Sequence, residues 1–393
     1  MSTSTYLYAL TPTDRDAADA ASEIARTVAR ENAAAVDKEG RFPEAAIRAL
    51  GAKGLLGLTV PVELGGRGLG MPAFAAVAEE LAKECASTAM VYVMHVSATQ
   101  ALASGARNPA REATLRAIAE GKHLTTLAFS EAGSRSQFWA PVSKMEKDAD
   151  GYRVTAKKSW ITSANHADSY VAVSLAQPAT GGEPGLTVYS VKRGAVGIKS
   201  QDAFDGLGLR GNDSAPAFFE GVRVSPDDLL SAPAQGADLV LGVVLPWFAL
   251  GSSAMAHGLC QKTLELAGGH LSGNSFEHLN QALRDLPVLR ARYADMLTRT
   301  NASRSLLAIA LDRLAKADPA AVLYVLQMRL DALESAVQVT DLGMKACGGA
   351  AFSKYLPLER AFRDARAGWV MAPTADHLRE FVGRVSLGLP LFG

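Results

Sequence analysis

The stretch that decides the reading is residues 127–173, LAFSEAGSRSQFWAPVSKMEKDADGYRVTAKKSWITSANHADSYVAV. Residues 125–129 and 152–157 carry strand-forming side chains, and Asp148-Ala149-Asp150-Gly151 is a turn signal between strands. The loop at 130–136, SEAGSRS, offers small residues and hydroxyls where a backbone can approach a ligand closely. Downstream, Trp160-Ile161-Thr162 sets a flat ring two residues from a hydroxyl, and strict alternation puts both on one strand face.

A flat ring beside a hydroxyl suits a flavin. Its ring needs an apolar wall to stack on, and its N1–C2=O and N5 edges need donors that stabilise the charge developing on reduction. The same residues also make a plain β-hairpin whose Trp160 and Ile161 fill a core, and the stretch alone leaves both readings open.

The wider sequence resembles the acyl-CoA dehydrogenase family over nearly the whole chain. Members carry a TEP-x-AGSD loop and, about thirty residues on, a K-x-WIT-x-x-x-x-AD strand; here the counterparts are SEAGSRSQ from Ser130 and KSWITSANHAD from Lys158. Three more segments match in order: FPEAAIRALGAKGLLGLTVPVELGGRGLG from Phe42, LGLRGNDSAPAFFEGVRVSPDDLL from Leu207, and CGGAAFSKYLPLERAFRDAR from Cys347.

The 393 residues suffice for two or three packed units, and forty basic against forty acidic residues argue for neither a nucleic-acid nor a membrane-surface partner. Cys85, Cys260 and Cys347 are scattered without metal-ligand spacing or an even disulfide framework, which points to no metal and to a reducing compartment. The first residues lack a basic and then apolar leader pattern, so a cytoplasmic protein is expected. Residues 85–106 and 239–261 are long uncharged runs, read as buried helices rather than membrane spans.

The chain divides into a helical part (1–123), a β part (124–232) and a helical part (233–393). Thr13 or Asp14 is placed to cap a first helix running to about residue 35, and Pro43 to open a second. A glycine-dense loop, 57–70, follows, and helices are expected over 72–85, 87–104 and 109–120. Short alternating segments punctuated by Gly and Pro then predict a β-barrel-like or sandwich domain. Apolar stripes over 237–271, 279–314, 319–347 and 373–387 predict a four-helix bundle. The fold class is therefore α+β and multidomain, in the family's own order of helical domain, β domain and bundle. The resemblance also implies a homotetramer or homodimer.

By that resemblance, Phe129 and Ser130 meet the pyrimidine edge of FAD, Trp160 and Ile161 stand beside the ring, and Thr162 bonds near N5. Ser136 approaches the pyrophosphate or the substrate's pantetheine. Gly348 and Gly349 let the adenine end of a neighbouring copy approach, and Thr374 touches the cofactor where the last helix begins. Arg360, Arg363, Asp364 and Arg366 are expected to form a structural ion-pair network.

The family removes the α-proton of an acyl thioester with a carboxylate while the β-hydride passes to the flavin. Its glutamate usually stands in a Y-E-G-T segment. Here that segment reads Val370-Met371-Ala372-Pro373-Thr374, so Ala372 occupies the position. The alternative place, on the first bundle helix, falls at Leu245-Pro246-Trp247, where the proline should also kink the helix and Trp247 stands for the arginine that holds CoA. The arginine that reaches a partner's FAD pyrophosphate is missing from Phe276-Glu277-His278-Leu279-Asn280. That loss costs roughly 1.5–3 kcal/mol unless Arg284 or Arg290 substitutes, and FMN becomes a rival cofactor.

Asp376, one turn past Ala372 with His377 beside it, and His95, on an apolar helix, are the candidate catalytic groups. Three functions follow. One is α,β-dehydrogenation of an acyl thioester on CoA or a carrier protein, with an electron-acceptor flavoprotein as partner. A second is a monooxygenase of the same fold, fed by a flavin reductase, which uses O₂ on a small apolar substrate. The third is a non-catalytic subunit of a heteromeric dehydrogenase.

Overall fold

The structure, a computed structural model, describes residues 6–178 and 181–392. Helices α1 (Pro12–Ile24) and α2 (Arg30–Glu39) form one rod joined by a π-helical turn at Ala25–Ala29. The cap is Thr11 rather than Thr13. Its hydroxyl accepts from the Asp14 N–H while the Asp14 carboxylate accepts from the Thr11 N–H, with Pro12 opening the first turn. Asp14 thus belongs to the capping box without being the cap, and the rod runs to Gly40, which is left-handed (φ 65°). α3 (Glu44–Ala52), α4 (Met71–Glu84), α5 (Ala86–Ser104) and α6 (Pro109–Ala119) complete the first helical layer. α5 is buried all round, as its lack of charge foretold.

The glycine-dense loop folds back on itself. The Gly68 N–H donates to Val60 O (2.9 Å), and a Cβ added to Gly66 would stand 2.1 Å from the same oxygen. Only glycine fits there.

The middle of the chain is one curled, mixed sheet. β4 (Ser169–Ala176) pairs antiparallel with β5 (Gly185–Lys192) along one edge. Its other edge takes β1 (Thr125–Ala128) and then β2 (Lys144–Asp148), both parallel. β2 continues antiparallel to β3 (Gly151–Ile161), then to β7 (Ala215–Val224) and β6 (Ile198–Ser200). The barrel-like alternative is the observed one, since among the described residues the seven strands form a single curled sheet. Its inner face is an apolar core that includes Val154, Ile161, Tyr170, Tyr189 and Phe219.

The last part is built on α7 (Leu245–Gly273), α8 (Pro287–Ala315) and α9 (Ala321–Cys347). Short helices α10 (Gly349–Phe352) and α11 (Leu358–Ala365) lead to α12 (Ala375–Ser386), which packs on α9. α8 begins at Pro287 and not near 279. The intervening residues form a small hairpin, β8 (Ser275–Phe276) with β9 (Gln281–Ala282), turned at left-handed Asn280. Pro246 does not kink an interior turn either. It follows a π-helical run, Leu239–Val244, whose wider turn relieves the proline ring of the clash with the carbonyl four residues back.

The run Leu239–Gly273 is long and apolar enough to cross a membrane, but 72% of its apolar window is buried inside the protein, so it is a core helix. Arg363 ties the bundle to the first helical layer through Asp37 (2.6 and 2.8 Å) and to Glu359 (2.7 Å), while Asp364 accepts the Leu209 N–H at 2.7 Å. Arg366 and Arg360 belong to the same belt but bond to hydroxyl and carbonyl oxygens, not to carboxylates. The Gly66→Ala variant should lose about 1–3 kcal/mol or more of stability, read as a lowered midpoint in urea unfolding, because the colliding atom is backbone.

Candidate active site

The 127–173 stretch is held in shape by a buried ion pair. Along β3 the even positions Val154, Ala156 and Lys158 face inward, so a lysine is driven into the core. Its ammonium meets Glu131 Oε1 at 2.7 Å and Val173 O at 2.5 Å. Glu131 also accepts the N–H groups of Val142 (2.7 Å) and Ser143 (2.9 Å) and the Ser143 hydroxyl. From Ser143 the chain of hydroxyls continues to Ser174 (2.8 Å) and Tyr189 (3.1 Å). Burial works to raise the Glu131 carboxyl. The Lys158 charge and these hydrogen bonds outweigh it and hold the group below the usual carboxylate range. The 130–136 loop is thereby pinned along β3, with Ser159 N–H donating to Ser130 O at 2.9 Å.

Trp160 breaks the alternation. Strict period two would bury it beside Lys158; instead the register shifts between Lys158 and Ile161, and Trp160 adopts a left-handed backbone (φ 54°). Ile161 turns inward in its place, and the indole emerges 55% exposed. The expectation that Trp160 and Thr162 share one face by alternation is therefore corrected: Trp160 points out, and Thr162 is buried just past the strand end. A tryptophan with positive φ is strained by about 1–3 kcal/mol, a cost proteins tend to carry where a side chain must be aimed. One side of the indole is covered by Phe204, ring centroids 4.2 Å apart.

These residues fit the ring end of a flavin. The indole is a half-exposed apolar wall. The Thr162 hydroxyl has only a long contact, 3.5 Å to Ser214 Oγ, and the Ser134 hydroxyl is buried with no hydrogen-bond partner. Phe129 lies under the loop in an apolar cluster with Phe138, and Ser130 and Ser136 are partly exposed on the loop itself.

At the expected phosphate end, side chains built at Gly348 (φ 53°) or Gly349 would meet nothing within 4 Å, so the C-terminus of α9 is open to another molecule. Thr374 caps α12, and its hydroxyl is engaged with His377 Nδ1 at 3.0 Å. The hairpin at 275–282 carries no arginine. One terminal nitrogen of Arg290 donates to the carbonyls of Arg284 and Asp285, so of the two proposed substitutes Arg290 is already partly engaged.

The catalytic candidates fare unequally. His95 is 0% exposed and both ring nitrogens are taken: Nδ1 accepts the Thr125 N–H (3.1 Å), which leaves Nε2–H to donate to Leu56 O (3.0 Å). Burial pulls its pKa down to about 4. It ties α5 to β1 and has no nitrogen left to act as a base, which corrects that assignment. Asp376 lies in the first turn of α12, its side chain 96% exposed and paired with Arg379 at 3.1 Å. Ala372 packs against the apolar cluster that includes Phe129, Phe138, Val244 and Leu245, and its own side chain supplies no carboxylate there.

Sequence reasoning missed two partners. Lys158 in an inward strand position demanded an acid, and Glu131 was the acid in the adjacent loop. Phe204 gave no comparable signal.

The family model described as acyl-CoA dehydrogenase, N-terminal domain, matches residues 11–122, the middle-domain model 126–222 and the C-terminal-domain model 234–387. Cyclohex-1-ene-1-carbonyl-CoA dehydrogenase of Geobacter metallireducens is 28% identical over 354 residues, covering 90% of this chain and 92% of its own. Among solved structures, butyryl-CoA dehydrogenase from Megasphaera elsdenii superposes with a TM-score of 0.90 at 21% identity, covering 97% of this chain and 99% of its own. A prolyl acyl carrier protein oxidase superposes at 0.88 with 20% identity, covering 97% and 100%.

Two outcomes follow from the geometry. Glu131→Gln strands the Lys158 charge and should cost about 3–5 kcal/mol in denaturant unfolding, whereas replacing both partners by apolar residues should cost far less. His95 is neutral in the fold and has a lowered pKa, so its share of stability is complete above pH 6.5 and is lost as pH falls toward 4, by about 3 kcal/mol. His95→Gln should flatten that part of the stability–pH curve.

Proposed function

This chain belongs to the acyl-CoA dehydrogenase family, a family of flavoprotein oxidoreductases acting on CH–CH donors, and on that premise we propose that it oxidises an acyl group carried as a thioester on CoA or on a carrier protein. The observation that carries this reading is the Trp160 wall, aimed outward by a strained backbone beside a loop that a buried ion pair fixes. Trp160, Thr162, Phe129 and Ser130 would hold the ring of FAD and Ser136 its pyrophosphate or the substrate's pantetheine, while Ile161, turned into the core, supports the strand behind them. Gly348 and Gly349 of a second copy would admit its adenine end. Bound FAD supplies the hydride acceptor.

The proton needs a separate acceptor. With Ala372 inert and His95 committed, Asp376 is the carboxylate proposed for that role, reached when a second copy or substrate covers the face it now shows to solvent. The protein is proposed to work as a homotetramer or homodimer in the cytoplasm, passing electrons to an acceptor flavoprotein.

A second reading is favoured by one observation, the methyl of Ala372 packed on an apolar cluster where the family's carboxylate would stand. A monooxygenase of this fold, supplied with reduced flavin by a reductase, requires no carboxylate there.

Anaerobic titration with a panel of acyl-CoA and acyl-carrier-protein thioesters should bleach the flavin band, and Asp376→Asn should bind flavin normally yet slow bleaching at least ~100-fold. Oxygen uptake that begins only when reduced flavin is supplied, with no bleaching by any thioester, would select the second reading. A protein that stays colourless with added FAD and FMN would defeat both and leave a non-catalytic subunit.

A further inference from the structure

Of the five buried cations among the described residues, Arg111 and Arg366 bond to carbonyl or hydroxyl oxygens with acids at longer range, and two others have an acid in contact. Lys158 has Glu131, and Arg304 meets Glu79 at 2.9 Å. Arg329, at the centre of α9 and 0% exposed, has none among the described residues. One of its terminal nitrogens donates to the Ser252 hydroxyl on α7, and the other to the Met371 carbonyl at 3.2 Å. Nε is buried with no partner, and the guanidinium lies over the ring of Phe248, 4.6 Å from its centroid. Burial alone acts on this group and pulls its pKa down to about 9, with no carboxylate opposing it.

A buried charge without a counter-ion is costly, and a guanidinium fork is shaped to receive a carboxylate in bidentate fashion. The position matters as much as the charge. Met371, whose carbonyl it holds, precedes Ala372, and Ala372 sits in the apolar wall with a bare methyl. Phe248 and Met371, which contact the guanidinium, and Ala372 beside Met371 are each partly exposed.

We propose that Arg329 is a specificity-determining residue that selects an acyl group bearing its own carboxylate, the substrate supplying the anion that the fold omits. The ligand class is a thioester of a short dicarboxylic acid, its free carboxylate directed past Ala372 toward the guanidinium. The thioester half of this statement rests on the function proposed above; the carboxylate half rests on Arg329.

The test is calorimetric titration of the flavin-loaded protein with succinyl-CoA and butyryl-CoA, matched in chain length and differing in the terminal carboxylate. Succinyl-CoA should bind about tenfold or more tighter. Arg329→Met should bring the ratio near one, and Arg329→Lys, a point charge without the fork, should give an intermediate value. Equal binding by the native protein, or a ratio that survives Arg329→Met, overturns the proposal. If Arg329→Met does not fold, the fall in ratio with Arg329→Lys decides. If neither thioester binds, the thioester reading fails separately. Free glutarate then judges the arginine: it should raise the unfolding temperature of the native protein and not of the variant, and no rise in either rejects it.

Discussion

The ion pair between Glu131 and Lys158 is the constraint from which the site's geometry follows. A lysine on the inward face of a strand has no route to water, so its charge must be met inside, and the neighbouring loop brings the acid to it. Once bound, the loop cannot drift from the strand. The backbone then has to spend its irregularity elsewhere, and it does so two residues on, where Trp160 takes a left-handed turn and swings its ring into the open. Removing a charged pair from a core often stabilises a protein, so this one is better understood as fixing a unique arrangement than as adding stability.

Much of the architecture could be read from the chain because it rests on periodicity. The change from period 3.6 to period two and back marks the three regions, whereas the helix ends set by Pro12, Gly40 and Pro287 lie several residues from the expected positions. What stayed hidden depends on non-local pairing. Nothing near Trp160 announces a register shift, since it arises from how β3 meets β7. His95 looked like a spare titratable group because its two partners, Leu56 and Thr125, are backbone atoms some thirty or more positions away. The first helix cap was misplaced by two residues for a smaller reason: Thr11 stands three before Asp14 and Thr13 three before Asp16, and it is Pro12, suited to the first helical position, that marks Thr11 as the cap.

Around the proposed site the scaffold and the polar side chains tell different stories. The wall near Ala372 is apolar, the hairpin at 275–282 has no arginine, and Arg290 is turned onto backbone carbonyls. Meanwhile a cation sits behind that wall without an acid, held by a hydroxyl, a carbonyl and an aromatic face.

The π-helical run before Pro246 has one more consequence. A wide turn accommodates an extra residue without ending the helix, and each extra residue rotates everything beyond it by about 100°. Positions on the two sides of residues 239–244 thus belong to different angular frames. Counting along this helix from its beginning and counting from its end place the same side chain about a quarter-turn apart, so which residues it turns toward α4, α5 and α9 depends on the wide turn as well as on the residue types.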